Sequence, residues 1–297
     1  MEKSGKSLIS RLYIYQSERF PFIFLIPTTL AIIFSTYAVL SLNGFNEAIW
    51  KYVLLGIAGI SFLLHTRVID ELRDKEIDDI HHPERPIQRG LISPREILII
   101  GYLNGGIFIT IHLLLDPLSG MLSAGLLIYS LIARYEVGFI KSLKPHFWLY
   151  NLIMLIQMLL LQLIAYAAIT KTLIWSSSIW WHALGVFILS ALIEAARKCL
   201  PADEETAYLD SYSSRLGIQG SAFTTFIIGT LAFFCFFFIG NISFLWLCLS
   251  LTPLLIGCLW FSAKPNKSGK NIIQLSAVLS YIFLNLTVAL CLSLIHI

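Results

Sequence analysis

The chain has 297 residues, 57% hydrophobic and only 13% charged, where a soluble domain carries about 25% charged residues. Apolar runs of about 20 residues, each long enough to cross a bilayer core of ~30 Å, recur along it and leave no room for a separate soluble domain. A formal net charge of +3 gives no reason to expect a nucleic-acid partner, so the sequence reads as a polytopic membrane protein.

Nine spans are predicted, at roughly 20–42, 48–68, 95–115, 118–135, 147–170, 179–199, 219–240, 242–262 and 272–294, with eight or ten as the alternatives. The third and fourth are separated at "DPLSG" (116–120) and the seventh and eighth at "GNIS" (240–243), short breaks that predict tight helical hairpins. The first span follows a charged segment without a small-residue cleavage site, so it is expected to be a retained helix. Cys199, Cys235, Cys248, Cys258 and Cys291 fall at or inside spans at no metal-site spacing and are expected to pack as small apolar residues.

Charge is distributed unevenly. With nine spans, one membrane face receives the N-terminus and the connections at 69–94, 136–146, 200–218 and 263–271. Of the 21 Lys and Arg residues, all but Lys51 and Lys171 lie on that face or at the span ends turned to it. The positive-inside rule makes that face cytoplasmic and places the N-terminus inside. Apart from Glu47 and Asp116, the acidic residues gather there too, so chemistry is expected at the cytoplasmic end.

Two acidic clusters stand out. In "DELRDKEID" (70–78), Asp70, Asp74 and Asp78 are four apart and fall on one slowly drifting helical face, which Glu71 borders. Carboxylates stacked this way repel unless a cation lies between them, and oxygen ligands without Cys or His suit Mg²⁺. The second cluster, "EAARKCLPADEETAYLDSYSSRLG" (194–217), opens with Glu194 inside the apolar run, where an ionisable group is costly. Lys198, four residues on, is its natural ion-pair partner. Asp203, Glu204, Glu205 and Asp210 follow Pro201, which is expected to break the helix. The plain alternative for both clusters is a solvated mixed-charge loop. Their repetition at the ends of even-numbered spans in a charge-poor chain points instead to a shared metal–diphosphate site. Arg67, Arg73, Lys75, Lys141, Lys144, Arg197 and Lys198 lie at the same face and would serve diphosphate oxygens, although topology alone predicts positive residues there.

Together these residues resemble the UbiA superfamily of intramembrane prenyltransferases. That family's first motif, NDxxDxxxD followed by RPI or RPL and a glycine, is similar to "DELRDKEID" and "ERPIQRGLIS" (84–93). Asp70 stands for the Asn, Glu71 for the first Asp, then Asp74, Asp78, Arg85, Pro86 and Gly90 follow. The second motif, DxxxD, is absent. The positions that best match it are Asp203, Glu204 or Glu205, and Asp210, with Glu194 as an earlier ligand, ahead of an "SxxLG" ending. "RYEVGFIKSLK" (134–144) offers Tyr135, Lys141 and Lys144 for the family's YxxxK with altered spacing. An E–RK–P–E–DxYS pattern is similar to a bacterial branch.

The resemblance implies an all-α fold of about nine helices around a central cavity, a single domain over 1–297, in a bacterial inner membrane. It implies Mg²⁺ bridging Asp70, Glu71, Asp74, Asp78, Asp203, Glu204, Glu205 and Asp210 to a prenyl diphosphate. It also implies transfer of the prenyl group through an allylic carbocation to a lipophilic, aromatic acceptor. Asp70, Glu71, Asp74, Asp78 and Glu194 are then the catalytic candidates, and Arg67, Arg73, Lys141, Lys144, Arg197 and Lys198 the diphosphate ligands. A UbiA-type terpene cyclase, using the same ionisation without an acceptor, is the alternative. A cation-coupled transporter is more remote, because its site would lie near the midplane.

Of the remaining residues, His65 is read either as cavity lining or as an interhelical hydrogen bond, and His81 and His82 as solvent-facing. Asn104 and Asn151 are read as cavity lining or, in preference, as interhelical glue. "FFCFFFIG" (233–240) is expected to face lipid, Trp175, Trp180 and Trp181 to form an interfacial belt, and "KPNKSGK" (264–270) to meet anionic lipid.

Overall fold

The computed structural model describes residues 7–143, 145–205 and 211–293, and these form helices and no strand. Lys144 and Asp210 lie outside the described residues. The helices are α1 (Leu8–Arg19), α2 (Phe22–Leu42), α3 (Ile49–Arg73), α4 (Lys75–His81), α5 (Pro94–Leu115) and α6 (Pro117–Arg134). Beyond them come α7 (Phe139–Leu143), α8 (Phe147–Thr170), α9 (Ser177–Arg197), α10 (Tyr212–Phe237), α11 (Phe244–Ala263) and α12 (Lys267–Ser293). Among the described residues nine of these, α2, α3, α5, α6 and α8–α12, are long and apolar enough to cross a membrane. The nine-span reading holds, and the protein is an integral membrane protein. Span ends differ where charge enters a helix: α3 runs to Arg73, beyond the expected end near 68, and α12 begins at Lys267 rather than near 272.

The chain forms two compact units. One holds residues up to Thr29, Trp50–Gln157 and Ile164–Lys171. Inside it, α3 and α5 approach closely where α5 carries glycine. A Cβ on Gly101 would stand 2.7 Å from Val68 Cγ1, and one on Gly105 3.1 Å from His65 Nδ1. Where lipid is as apolar as leucine, such small-residue contacts and interhelical hydrogen bonds hold helices together. His65 Nδ1 lies 2.8 Å from the Gly101 carbonyl oxygen, so His65 is the interhelical hydrogen bond of the two readings. Asn104 instead donates to Ile100 O on its own helix, at 2.9 Å. Asp116 is the whole connection between α5 and α6: its backbone N–H closes α5 on His112 O, and its carboxylate caps α6 at Ser119 N, 2.9 Å.

The other unit holds Leu30–Ile49, Met158–Leu163 and residues from Thr172 onward. Its helices are joined by polar pairs: Ser35 with Asn285 at 2.8 Å, Gln162 with Thr36 at 3.0 Å, and Ser250 with Thr287 at 2.8 Å. Next to Pro253, the Leu254 N–H donates across to Ser280 Oγ on α12, at 3.1 Å. The Phe run divides by helical phase rather than facing lipid as a block. Phe233 and Phe236 are buried, whereas Phe234, Phe237 and Phe238 are exposed; Phe236 fills the notch at Gly185 and stacks on His182. Helix α10 is interrupted at Gly217, which has φ +72° and ψ 172°, a conformation nearly restricted to glycine.

Candidate active site

The first acidic motif does not form one continuous face. Helix α3 ends at Arg73, Asp74 takes a non-helical conformation (φ −86°, ψ 2°), and α4 starts at Lys75. The bonds Asp74 N→Asp70 O and Asp78 N→Asp74 O, both 2.9 Å, keep the spacing, but the carboxylates part company. Asp70 pairs with Arg134 at the end of α6 and lies 3.5 Å from Arg73 Nη2. Asp74 is gripped by Arg73, and Asp78, buried, pairs with Arg85. Four like charges so close together would repel; here arginines separate them.

Glu71 is the most enclosed of the four, 2% exposed. Arg19 Nε of α1 donates to its Oε1 at 2.7 Å, and Arg67 Nη2, one turn back on α3, lies at the same distance. Helix α1 was not anticipated in the charged N-terminal segment. It starts at a Ser7 cap and buries Arg11 and Tyr15, four residues apart, with Arg19 four further on. Arg11 donates to Leu91 O and forms a two-pronged pair with Glu96, while Arg89 of the "RPIQRG" segment forms another with Glu18. Tyr15 packs into a cluster with Val68, Ile87, Leu91, Ile92 and Ile97. Burial, with the Glu71 carboxylate beside it, pushes the Tyr15 phenol above its ordinary range. Gly90, at φ +75°, lets the "RPIQRG" segment turn back under α1.

Among the sequence candidates of this unit, Arg67 and Arg73 thus hold acidic residues of the motif, Lys75 pairs with Asp79 at 2.5 Å, and Lys141 lies exposed on α7. Arg134 and Arg19 were not singled out. Arg134 stands at a span end, where topology alone predicts positive charge, and Arg19 is 52 residues from its partner.

The second cluster is arranged within its own unit. Glu194 binds Arg197 through two hydrogen bonds, 2.8 and 2.9 Å, and Lys198 at 3.3 Å. Helix α9 stops at Arg197, ahead of Pro201. Asp203 is exposed on the short turn Ala202–Glu204; Glu204 pairs with Lys270 of α12, and Glu205 accepts from Ser211 Oγ. Lys270 therefore meets an acid rather than standing free for lipid. The return of the chain is fixed by Tyr212 N→Lys198 O, 3.0 Å, and Leu200 N→Ser213 Oγ, 2.9 Å.

Among the described residues no group of three or more His, Cys, Asp and Glu side chains converges as a ready-made metal cage. Mg²⁺ is commonly held differently, by one or two carboxylates with substrate phosphates completing the shell. The end of α3 fits that mode. Asp70 Oδ1 is buried and accepts no hydrogen bond, and Asp74, four residues on, is partly open to solvent. The guanidiniums of Arg73 and Arg134 adjoin them, with donors suited to phosphate.

A family model described as the UbiA prenyltransferase family matches residues 24–293. The fold is similar to the ligand-free structure of a UbiA homologue from Aeropyrum pernix K1, with TM-score 0.62 and 16% identity over 85% of this chain and 94% of that one. It is also similar to a solved digeranylgeranylglyceryl phosphate synthase, with TM-score 0.56 and 15% identity over 95% of this chain and 98% of that one. No curated protein sequence matches the chain.

Proposed function

Because the chain belongs to the UbiA prenyltransferase family, we propose that it moves a prenyl group from an isoprenoid diphosphate to a lipophilic, aromatic acceptor in a Mg²⁺-dependent reaction. Enzymes of this family generally act on Mg²⁺-bound diphosphates. The observation that carries the reading for this chain is Asp70, a carboxylate at the end of a membrane span with one buried oxygen left without a hydrogen bond.

In this reading Asp70 and Asp74 hold the cation. Bound there, Mg²⁺ supplies Lewis-acid stabilisation of the departing diphosphate. Arg73 and Arg134 then turn donors from Asp74 and Asp70 to diphosphate oxygens, opposing the charge that develops as the allylic C–O bond breaks. The apolar helices around the site keep water from the cation that forms. Glu194 and the acids at 203–205, with Asp210, are the candidate second-motif ligands, and 1–297 acts as one domain. The gathering of charge at one face supports a site open to the cytoplasm, with the N-terminus inside, in a bacterial inner membrane.

The test is diphosphate release by the purified protein in lipid nanodiscs with Mg²⁺ and prenyl diphosphates of several lengths. Acceptors should include aromatic compounds and a glyceryl phosphate, the class in the name of the second similar structure. Release that needs an acceptor establishes transfer. Release without one, with a cyclic hydrocarbon or alcohol as product, establishes a cyclase instead. No release from any donor, or full activity in Asp74→Ala, sinks the proposal.

A further inference from the structure

Glu71 stands where the resemblance expects a metal-binding aspartate, yet its surroundings are those of a clamp. Its Oε1 is shared by Arg19 and Arg67, both at 2.7 Å. Arg19 closes the last turn of α1, and α1 is fastened elsewhere by Arg11 to Leu91 O and Glu96, and by Glu18 to Arg89. Glu71 is therefore the point at which this strap meets α3, one residue after Asp70 and three before Asp74. An isolated buried carboxylate is costly, whereas this one has its charge neutralised by two guanidiniums on Oε1; its Oε2, like Asp70 Oδ1, is buried and accepts no hydrogen bond.

We infer that Glu71 is a positioning residue: through Arg19 it locks α1 onto α3 and fixes where Asp70 and Asp74 are presented, without itself binding the metal. Side-chain length is central. Aspartate, the residue the family's motif carries here, is shorter by one carbon–carbon bond, about 1.5 Å, and does not span the gap to Arg19 while Arg67 is retained. Because the family's motif carries aspartate at this position, a metal ligand here should tolerate the exchange, whereas the clamp loses reach.

The inference rests on the proposed function only for its kinetic readouts. Glu71→Gln, Glu71→Asp, Arg19→Gln and the double variant Arg19→Gln/Glu71→Gln are made in the full chain in nanodiscs. Thermal midpoints are followed by tryptophan fluorescence, and kcat, donor KM and half-saturating Mg²⁺ are measured well below the lowest midpoint. The expected result is a fall in kcat on the order of ten- to a hundredfold in all three single variants, as for a small misplacement of reacting groups. Donor KM and half-saturating Mg²⁺ should change by less than about twofold, since no ligand is lost. The double variant should lose little beyond either single one, because the two residues form one interaction.

Wild-type kcat in Glu71→Asp overturns the inference. So does a rise of about tenfold in half-saturating Mg²⁺ in Glu71→Gln that Arg19→Gln does not share. If Glu71→Gln does not accumulate, Arg19→Gln decides, and unchanged kcat there is equally fatal. If the wild-type protein turns over no prenyl diphosphate, the functional reading fails by itself. The thermal comparison still stands in that case: strictly additive losses in the double variant would show that Arg19 and Glu71 are not coupled.

Discussion

Arg73 grips the residue that follows it: its Nε donates to Asp74 Oδ1 at 2.7 Å and its Nη2 to Oδ2 at 2.8 Å. Successive side chains of a helix point in different directions and do not face each other. The pair forms at the helix end, where α3 stops at Arg73 and Asp74 takes a non-helical conformation. It leaves Asp74 partly open to solvent, whereas Asp78 is buried against Arg85.

Asp74→Asn should lower kcat by about a hundredfold or more, the scale seen when one preorganised charge contact is removed from an active site. Arg73→Lys should lower it by roughly tenfold, because an ammonium cannot reproduce the two-pronged contact. Steady-state diphosphate release measures both. Wild-type rates in Asp74→Asn would remove this carboxylate from the site.

Arg85→Ala leaves Asp78 buried without its partner. Stranding one charge of a buried pair costs about 3–5 kcal/mol. The thermal midpoint should drop clearly, and Arg85→Ala/Asp78→Asn should recover much of the loss. A double variant no better than the single one would show that the cost lies elsewhere in the "RPIQRG" turn.

Gly101→Ala drives a methyl group to within 2.7 Å of Val68 Cγ1. Overpacking of this kind costs about 1–3 kcal/mol. Val68→Ala in the same chain should relieve it, and denaturation in mixed micelles reads the difference. Failure of the second substitution to compensate would mean that the α3–α5 contact adjusts by moving backbone.

Gly217→Ala meets no atom within 4 Å of the new Cβ, so any effect is backbone strain alone. At φ +72° and ψ 172° that strain is about 1–3 kcal/mol. The thermal midpoint should fall, with no accompanying sign of a packing defect in tryptophan fluorescence. An unchanged midpoint would indicate that α10 straightens through this position.

The spans were legible because bilayer thickness dictates the length of an apolar helix, and the turns at Asp116 and 240–243 carry local signals. The end of α3 was less so: Arg67 to Arg73 lower the apolar content of any window although the helix continues through them. The acids of the first motif were legible, but their partners were not. Arg134 is 64 residues from Asp70 and Arg19 is 52 from Glu71, and no local pattern connects either couple. Helix α1 left a fainter trace, a Ser cap followed by Arg11, Tyr15 and Arg19 at helical spacing. In the Phe run composition suggested one uniform surface, whereas helical phase buries Phe233 and Phe236 and leaves their neighbours outside.

The single-residue joint at Asp116 bears on how the chain is made. One amino acid both terminates α5 and caps α6, so no slack chain separates the two helices. The short joint favours insertion of α5 and α6 together as a helical hairpin. The same joint offers no place to splice in a glycosylation tag or reporter without separating the two helices, so biosynthetic mapping of this protein has to use its longer connections.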